Sequence, residues 1–243
     1  MSQLIYGRHP IFEAIQAGKE IEVLYIEKDL KGPGISEIRQ AARELELPVK
    51  SVPREKLDYI ARNKNHQGVV GLLAMIKYYD KEDVYNEVLS KGEQPLFLIL
   101  DHITDVRNFG AIARTAYGTG VHAILVPQKG GALINSDALK TSAGALNHLK
   151  VCREIDLVQT IKWCKANGIH VLVSDLKAAK NLSQIEFDRP MAIVLGEEGI
   201  GVNQLIINRA DETFKIPIHK ALDSYNVSVA AGMILYERMR SME

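Results

Sequence analysis

Short apolar runs recur through the second half of the chain, and stretches with helical spacing separate them. The runs occupy residues 94–101, 123–126, 169–173 and 191–195. Each is too short for most helices and apolar enough for a strand that is buried on both faces. Helical spacing is found at 111–118, 136–143 and 157–167. This alternation predicts an α/β fold in which helices cover both faces of a parallel sheet.

The first 75 residues predict a second, smaller α/β unit. Helical patterns at 10–17, 34–47 and 54–61 alternate with strand patterns at 21–26, 48–52 and 68–75. Residues 76–92 are more polar and contain one short helical piece, which is typical of a linker. The predicted organisation is a small domain at 1–75, a linker at 76–92 and the parallel-sheet domain at 93–243.

Composition and charge narrow the possible partners. The chain has 30 Lys and Arg against 30 Asp and Glu, so indiscriminate binding to polyanions is not expected. Local patches can still bind nucleic acid, and one basic cluster with interspersed amides lies in the small domain at Arg54, Lys56, Arg62, Lys64 and His66. Phosphate contacts from these cations, with base contacts from the amides, would suit structured RNA. The alternative is a solvated helix face followed by a polar loop.

The cysteines and the N-terminus bear on the compartment. Cys152 and Cys164 form neither a metal-ligand pattern nor a disulfide framework, so buried or half-buried thiols in a reducing compartment are expected. The N-terminal residues lack the apolar core of a signal peptide, and no window has the length of a membrane span. The sequence predicts a cytoplasmic protein with neither a metal nor a membrane partner.

Common nucleotide and hydrolase signatures are missing from the loops. Gly196, Gly199 and Gly201 occur in the order G-x-x-G-x-G, which differs from the dinucleotide order G-x-G-x-x-G. The sequence contains no G-x-x-x-x-G-K-[ST] phosphate loop, no G-x-S-x-G elbow and no H-E-x-x-H zinc motif. These absences disfavour an ordinary NAD enzyme.

Three polar loops follow strand patterns, which is where ligands bind in open parallel sheets. They span residues 101–110, 196–201 and 219–226. The last of them ends in Ser224-Tyr225-Asn226, shortly before the helical run at 233–237. A hydroxyl and an amide at such a junction can cap the helix and bind a ligand together. Capping alone is the simpler interpretation of an isolated Ser-x-Asn.

Taken together, three stretches resemble the motifs of the SpoU (TrmH) family of RNA ribose 2′-O-methyltransferases, within the SPOUT class. They are DVRNFGAIARTA at 105–116, IVLGEEGIG at 193–201, and IPI at 216–218 followed by SYNVSVAAG at 224–232. Their order and spacing carry the resemblance. It extends over the whole chain, because YGRHP at 6–10 and HQGV at 66–69 are similar to the substrate-binding domain of the RlmB subgroup.

The resemblance implies a fold and an activity. It implies a deep trefoil knot near the C-terminus and a homodimer packed through the knotted domain. Members of the RlmB subgroup use S-adenosylmethionine to methylate a guanosine ribose of 23S ribosomal RNA. The expected partner is therefore large-subunit ribosomal RNA. Transfer RNA is an alternative target, and an RNA-binding or ribosome-assembly protein with a decayed cofactor site is an alternative of another class.

The resemblance also assigns roles to individual positions. Cofactor binding would fall on Leu195, Gly196, Ile216, Ile218, Tyr225 and Ser228. The catalytic group would comprise Arg114, Asn108, Glu198, Ser224 and Asn226. RNA contacts would come from Arg8, Arg54, Arg62, Lys64, His66 and Arg107. Arg114 matches the arginine proposed as base on the 2′-hydroxyl; because arginine normally stays protonated, fixing a phosphate is the alternative role.

One departure from the family pattern lies in the third loop. Family members commonly carry a glycine two residues after the I-P-x stretch and Ser-Leu-Asn later. This chain has Lys220 at the probable glycine site and Tyr225 in place of the leucine. Because a side chain penalises positive φ, backbone contacts from residues 218–222 to the cofactor are the least secure part of the predicted site.

Overall fold

The computed structural model describes residues 4–219 and 223–242, and these form two compact units. The first unit runs to Lys77 and also includes Ile134–Ser136. The second unit comprises Tyr78–Leu133 and the chain from Asp137 onward. The boundary after Lys77 differs from the predicted linker at 76–92, because most of that segment belongs to the second unit.

The first unit is a small α/β domain, as the alternating patterns predict. Its strands are β1 (Leu4–Tyr6), β2 (Ile21–Glu27), β3 (Val49–Val52) and β4 (Val69–Leu73), and its helices are α1 (Arg8–Gln16), α2 (Pro33–Glu44) and α3 (Arg54–Ile60). The strand order is β1-β4-β2-β3, with β2 and β3 parallel and the other neighbouring pairs antiparallel. The three-residue strand β1 is too short to give a period and was not predicted.

The second unit contains the predicted parallel sheet. Its strands are β5 (Tyr78–Tyr79), β6 (Leu96–Asp101), β7 (Ala123–Pro127), β8 (Lys150–Glu154), β9 (His170–Ser174), β10 (Lys180–Asn181), β11 (Met191–Gly196) and β12 (Glu212–Lys215). Its helices are α4 (Lys81–Ser90), α5 (Val106–Gly118), α6 (Ser136–Thr141), α7 (Leu157–Ala166), α8 (Gln204–Ile207) and α9 (Val227–Arg240). The order is β10-β12-β9-β11-β6-β7-β8-β5, and neighbouring strands are parallel.

The predicted linker is an integral part of this second unit. Strand β5 pairs with β8 at one end of the sheet order. Helix α4 begins at its cap Asp80, whose side chain accepts hydrogen bonds from two backbone N–H groups. Val84 and Val88 of α4 are buried in the same apolar cluster as the strands. The polar composition of 76–92 therefore reflects the solvent face of a docked helix rather than a free connection.

Helices α5 and α9 begin before their predicted starts because of their N-terminal caps. The Asp105 carboxylate accepts hydrogen bonds from the N–H groups of Arg107 and Asn108, both at 2.8 Å. It thereby starts α5 inside the stretch that was expected to be a loop. Asn226 caps α9 in the same way, so this helix starts well before the apolar run at 233–237. The C-terminal helix is consequently fourteen residues long.

The strand order reverses between β6 and β11, which are neighbours at the centre of the sheet. After β6 the chain moves to β7 and β8 on one side of this pair. After β11 it moves to β12, which lies beyond β9 on the other side. Asp101 at the end of β6 lies opposite Gly196 at the end of β11. A switch point of this kind leaves a crevice beyond the carboxyl ends of the strands.

Both cysteines lie in the interior of the second unit, as predicted. Burial, with a smaller effect from the Glu154 carboxylate, raises the pKa of Cys152 and that of Cys164 to about 12. Neither thiol is therefore a reactive nucleophile at neutral pH. Among the described residues, no helix is both long enough and apolar enough to cross a membrane.

Candidate active site

The loop after β11 folds back tightly on itself. The Gly201 N–H donates to the Glu197 carbonyl at 2.8 Å, and Gly199 and Gly201 have φ values of 83° and 78°. A Cβ atom on Gly196 would lie 2.1 Å from the carbonyl carbon of Gly201 and 2.3 Å from the nitrogen of Val202. The G-x-x-G-x-G order thus serves close backbone packing and left-handed turns, which only glycine allows without strain.

Asn226 both caps a helix and reaches across the site. Its side-chain oxygen accepts hydrogen bonds from the N–H of Ser228 at 3.0 Å and from the Ser228 hydroxyl at 2.6 Å. Its amide nitrogen donates to Glu198 at 2.6 Å and to the side-chain oxygen of Asn108 at 3.1 Å. Asn226 therefore caps α9, as the simpler interpretation predicts, and also links the third loop to the other two.

Glu198 joins the three loops through one carboxylate oxygen. This Oε1 atom accepts hydrogen bonds from Asn226, from the N–H of Val227 at 3.0 Å and from the Asn108 amide at 3.3 Å. Val227 is the first residue of α9, so the negative charge lies at the positive end of that helix. We call Asn108, Glu198 and Asn226 the amide–carboxylate cluster. Its members come from all three of the predicted polar loops.

A cavity of about 400 Å³ lies beside this cluster. Loops that follow β9, β11 and β12 line it, together with the segment that leads into α9. Four of the six predicted cofactor residues line it, namely Leu195, Gly196, Ile216 and Tyr225. Ile218 and Ser228 do not line it, and Ser228 is instead bound to Asn226. Glu198 and Ser224, from the predicted catalytic group, also line this cavity.

The cavity also has lining residues that were predicted neither to bind the cofactor nor to act in catalysis. Leu176 and Lys177 reach it from the loop after β9, and Ile200 from the loop after β11. Leu176 and Ile200 are 53% and 81% exposed, so two apolar side chains lie uncovered at its mouth. Their position at strand ends was a usable signal, but the loop at 174–177 has no motif to single it out.

The third loop is described on both sides of a gap. Lys220, the departure from the family pattern, lies outside the described residues. Tyr225, the other departure, donates its hydroxyl to the carbonyl of Pro217 at 3.1 Å. The tyrosine therefore ties the two ends of this loop together, which a leucine at that position could not do.

Arg114 and Asn108 lie on different faces of α5. Arg114 is six positions after Asn108 in this helix, which places the two side chains about 120° apart around the helix axis. Arg107 is seven residues away and therefore shares the face of Arg114. Both arginines are exposed. Within the described parts of the chain, the Arg114 side chain has neither a hydrogen bond nor an ion pair, so its charge is available to a ligand.

The basic side chains of the first unit fall into two groups. Arg62 and Lys64 are exposed, and Arg54 is exposed but lies 3.6 Å from the Glu27 carboxylate. His66 differs from its prediction as an RNA contact, because its ring is 2% exposed. Its Nε2 atom lies 2.9 Å from Asp58, and its Nδ1 atom accepts the N–H of Gly68 at 2.9 Å. His66 thus holds a loop in place from the inside.

Arg8, the remaining predicted RNA contact, is half-buried. Its backbone N–H donates to the Gln67 side chain at 3.1 Å, and its Nε atom donates to the Gln67 carbonyl at 3.2 Å. The guanidinium therefore lies against the same loop that His66 anchors.

A larger cavity of about 880 Å³ lies elsewhere in the second unit. None of the predicted site residues lines it. Its lining mixes Arg238 and His122 with the acids Glu93, Glu186 and Asp188. It lacks the glycine-rich backbone and the helix N-terminus that distinguish the smaller cavity, so the smaller one is the better candidate for a nucleotide-like ligand.

Comparison with known proteins is consistent with this site. Residues 95–236 match the SpoU rRNA Methylase family, and residues 4–79 match the RNA 2′-O ribose methyltransferase substrate binding family. YacO of Bacillus subtilis (strain 168), assigned to the TrmH family of tRNA/rRNA methyltransferases, is 33% identical, covering 97% of this chain and 94% of YacO. A relative with the same assignment from Staphylococcus aureus (strain MSSA476) is 36% identical, covering 98% and 95%.

Solved structures share the fold. The AdoMet-bound rRNA methyltransferase from Sinorhizobium meliloti has a TM-score of 0.62 at 22% identity, covering 100% of this chain and 88% of that one. The TrmH/SpoU tRNA modifying enzyme of A. aeolicus has a TM-score of 0.57 at 28% identity, covering 66% and 83%. The fold and the family matches together define an RNA 2′-O ribose methyltransferase. The chain belongs to the SpoU rRNA Methylase family.

Proposed function

We propose that this protein transfers a methyl group from S-adenosylmethionine to a guanosine 2′-hydroxyl of 23S ribosomal RNA in the cytoplasm. The observation that carries the proposal is the amide–carboxylate cluster, in which one Glu198 oxygen joins Asn108 and Asn226 beside the cavity. Three motifs that are distant in sequence thereby form one site. A family member that had lost its cofactor site would not need to keep the three residues of the amide–carboxylate cluster hydrogen-bonded to one another.

The cavity suits S-adenosylmethionine in size and lining. Its volume of about 400 Å³ falls within the range of about 300–1,000 Å³ that is typical of small-molecule sites. Leu176, Leu195, Ile200 and Ile216 provide apolar walls for a base, and the glycine-rich loop provides backbone polar groups. The rim carries both signs of charge, which suits a zwitterionic amino-acid group. When bound, the cofactor supplies an electrophilic methyl group on a positively charged sulfur.

The protein must position the ribose and accommodate the loss of its hydroxyl proton. The amide–carboxylate cluster fixes the N-termini of α5 and α9 relative to the glycine-rich loop. Arg114 offers an unpaired guanidinium. Either its neutral form accepts the proton of the 2′-hydroxyl as base, or the charged group fixes the phosphate beside the target ribose while the proton passes to solvent after methyl transfer. Ser224, which lines the cavity, is placed to contact the RNA. Arg107 extends the cationic face of α5.

Ribosomal RNA is the preferred target because of the first unit. The substrate-binding match spans residues 4–79, whereas the A. aeolicus tRNA modifying enzyme covers only 66% of this chain. A separate binding unit suits a target that lies within a large folded RNA. Transfer RNA is the alternative outcome of the experiment below.

Labelled methyl transfer tests the proposed function. The full chain is incubated with S-adenosylmethionine carrying a labelled methyl group and with unmodified large-subunit RNA. The label should appear at one position and be recovered after alkaline hydrolysis in a dinucleotide, because a 2′-O-methyl group blocks cleavage of the adjacent phosphodiester. Unmodified transfer RNA serves as the competing substrate. Labelling of transfer RNA alone would show that transfer RNA, rather than ribosomal RNA, is the target. The absence of any cofactor heat in calorimetry at millimolar concentration would instead indicate an RNA-binding protein without the activity.

We further propose that the second unit forms a homodimer through α9, as the family resemblance implies together with a knot. Val229, Met233 and Tyr236 lie on one face of α9 and are 48%, 37% and 58% exposed. Such an apolar stripe on a helix that also packs on α5 is typical of an interface. Sedimentation equilibrium should show a dimer that Met233→Glu converts to monomer. Leu89→Glu, at an exposed leucine of α4, should leave the dimer intact; an equal effect of both changes would count against this face.

A further inference from the structure

The ring of Tyr59 lies uncovered on the surface of the first unit. It is 78% exposed and belongs to the last turn of α3. The Lys56 ammonium group, one helical turn earlier, lies 5.6 Å from the ring centroid. An aromatic ring with a cation on one side and solvent on the other can accept a further flat partner by stacking.

The loop after Tyr59 is held in an unusual conformation. Arg62, Asn63 and Gln67 have φ values of 52°, 56° and 50°, which residues other than glycine rarely adopt. The buried His66 ring anchors the loop to Asp58 of α3, and the Asn63 N–H donates to the Asp58 carbonyl at 2.8 Å. Strained positions of this kind persist where the surroundings fix them, and they cluster at binding sites.

This fixed loop, in which the Arg62 N–H donates to the Tyr59 carbonyl at 3.2 Å, presents positive charge. Arg62 and Lys64 are both exposed, and the Lys64 ammonium group lies 5.3 Å from the centroid of the Tyr6 ring. Residues 54–67 carry four Lys and Arg against two Asp and Glu. The solvated-face alternative explains the charges, but it explains neither the uncovered ring nor three left-handed residues in one loop.

The chemistry of the patch favours one form of RNA. In a duplex, each base face is covered by its neighbours, so an exposed aromatic side chain cannot stack on it. Unpaired bases can be turned outward and stacked on tyrosine, while the backbone follows adjacent cations. An aromatic ring next to Arg and Lys side chains therefore matches unpaired rather than double-stranded RNA.

We propose that the first unit binds an unpaired segment of the RNA substrate, with one base stacked on Tyr59 and the adjoining phosphates bound by Arg62 and Lys64. His66 acts through the loop, as a positioning residue. The inference rests on the proposed function in taking RNA as the substrate, and it defines the substrate further as a loop or bulge of that RNA.

Binding of short RNAs to the full chain tests this inference without cofactor. We expect a fluorescein-labelled, unstructured 12-nucleotide RNA to bind more tightly, by fluorescence anisotropy, than a duplex of the same length. Tyr59→Ala should weaken binding of the unpaired RNA about tenfold, whereas Tyr59→Phe should retain it. Arg62→Ala should reduce the salt dependence by about one phosphate contact. Leu45→Ala, which removes another exposed apolar side chain of this unit, is the matched control.

Two results would overturn the inference: wild-type affinity in Tyr59→Ala, or a preference for the duplex. Photo-crosslinking of RNA containing 5-iodouridine gives a second measurement on the wild-type chain, with Tyr59 as the expected site; crosslinks confined to other residues would count against it. Because neither experiment needs methyl transfer, failure here is separable from failure of the proposed function. Tyrosine-dependent RNA binding without any methyl transfer would remove the proposed function alone.

Discussion

Replacing Arg114 by alanine is expected to slow methyl transfer by about 100- to 10,000-fold, the range for a group that assists proton transfer. The Arg114 guanidinium is exposed and lies on the same face of α5 as Arg107. Its loss should therefore not unfold the helix. Single-turnover kinetics with saturating RNA and cofactor would measure the effect, and anisotropy should show that RNA still binds.

Arg114→Lys separates the two roles left open for this side chain. Lysine keeps the positive charge but loses the planar, bidentate geometry. If charge near a phosphate suffices, the lysine variant should retain much of the rate; if the guanidinium geometry at the hydroxyl is needed, it should match the alanine variant. Arg189→Ala, at an exposed arginine paired with Glu186 and Asp188, is the control. Near-normal labelling by Arg114→Ala would rule out the proposed role.

Mixing variants can show whether Arg114 acts within its own subunit. The Arg114 side chain points about 120° away from that of Asn108 around the α5 axis. In a dimer, this arginine can therefore serve either the cavity of its own subunit or that of its partner. A preparation that combines Arg114→Ala with a cofactor-binding variant regains activity only if one subunit's arginine serves the other's cavity. The two variants are unfolded and refolded together, so that mixed dimers form whatever the rate of subunit exchange.

Replacing Gly196 by alanine is expected to weaken cofactor binding by at least about 100-fold, because the added methyl group must displace backbone and thereby disturb the cavity wall. A Cβ atom at this position would lie 2.1 Å from the Gly201 carbonyl carbon. No rotamer change can relieve a contact between backbone atoms. We also expect the free energy of unfolding to fall by about 1–3 kcal/mol, as for other overpacked sites. Calorimetry with S-adenosylmethionine and thermal unfolding would measure the two effects.

Gly118→Ala is the matched control for this change. Gly118 ends α5 and has no atom within 4 Å of an added Cβ. Alanine there should leave cofactor affinity unchanged and should slightly stabilise the helix end. Unaltered cofactor affinity in a Gly196 variant whose stability has fallen would count against this cavity as the cofactor site.

The start of α9 is fixed by contacts with the second loop and by its own cap. Glu198 accepts hydrogen bonds from the Asn226 amide and from the N–H of Val227, and the Asn226 side chain caps the helix. The hydroxyl of Tyr225 adds a hydrogen bond to the Pro217 carbonyl.

The sequence by itself determined the parallel sheet, because strands buried on both faces, such as β6 and β11, must be continuously apolar. It also placed Asn108, Glu198 and Asn226 at one edge of that sheet, because each belongs to a stretch that follows a strand. It could not determine the pairing of the two-residue strand β5 or the docking of α4, because short or half-polar segments have no distinctive period.

Only the tertiary structure decided how individual side chains are used. The sequence predicts His66 to be a basic surface residue, yet its ring is buried and both ring nitrogens are hydrogen-bonded. Leu176 reads as an ordinary loop residue, yet it lines the cavity. The hydrophobic period and the motifs determine which segments form strands, helices and loops. The burial and direction of each side chain depend on neighbours that are distant in the chain.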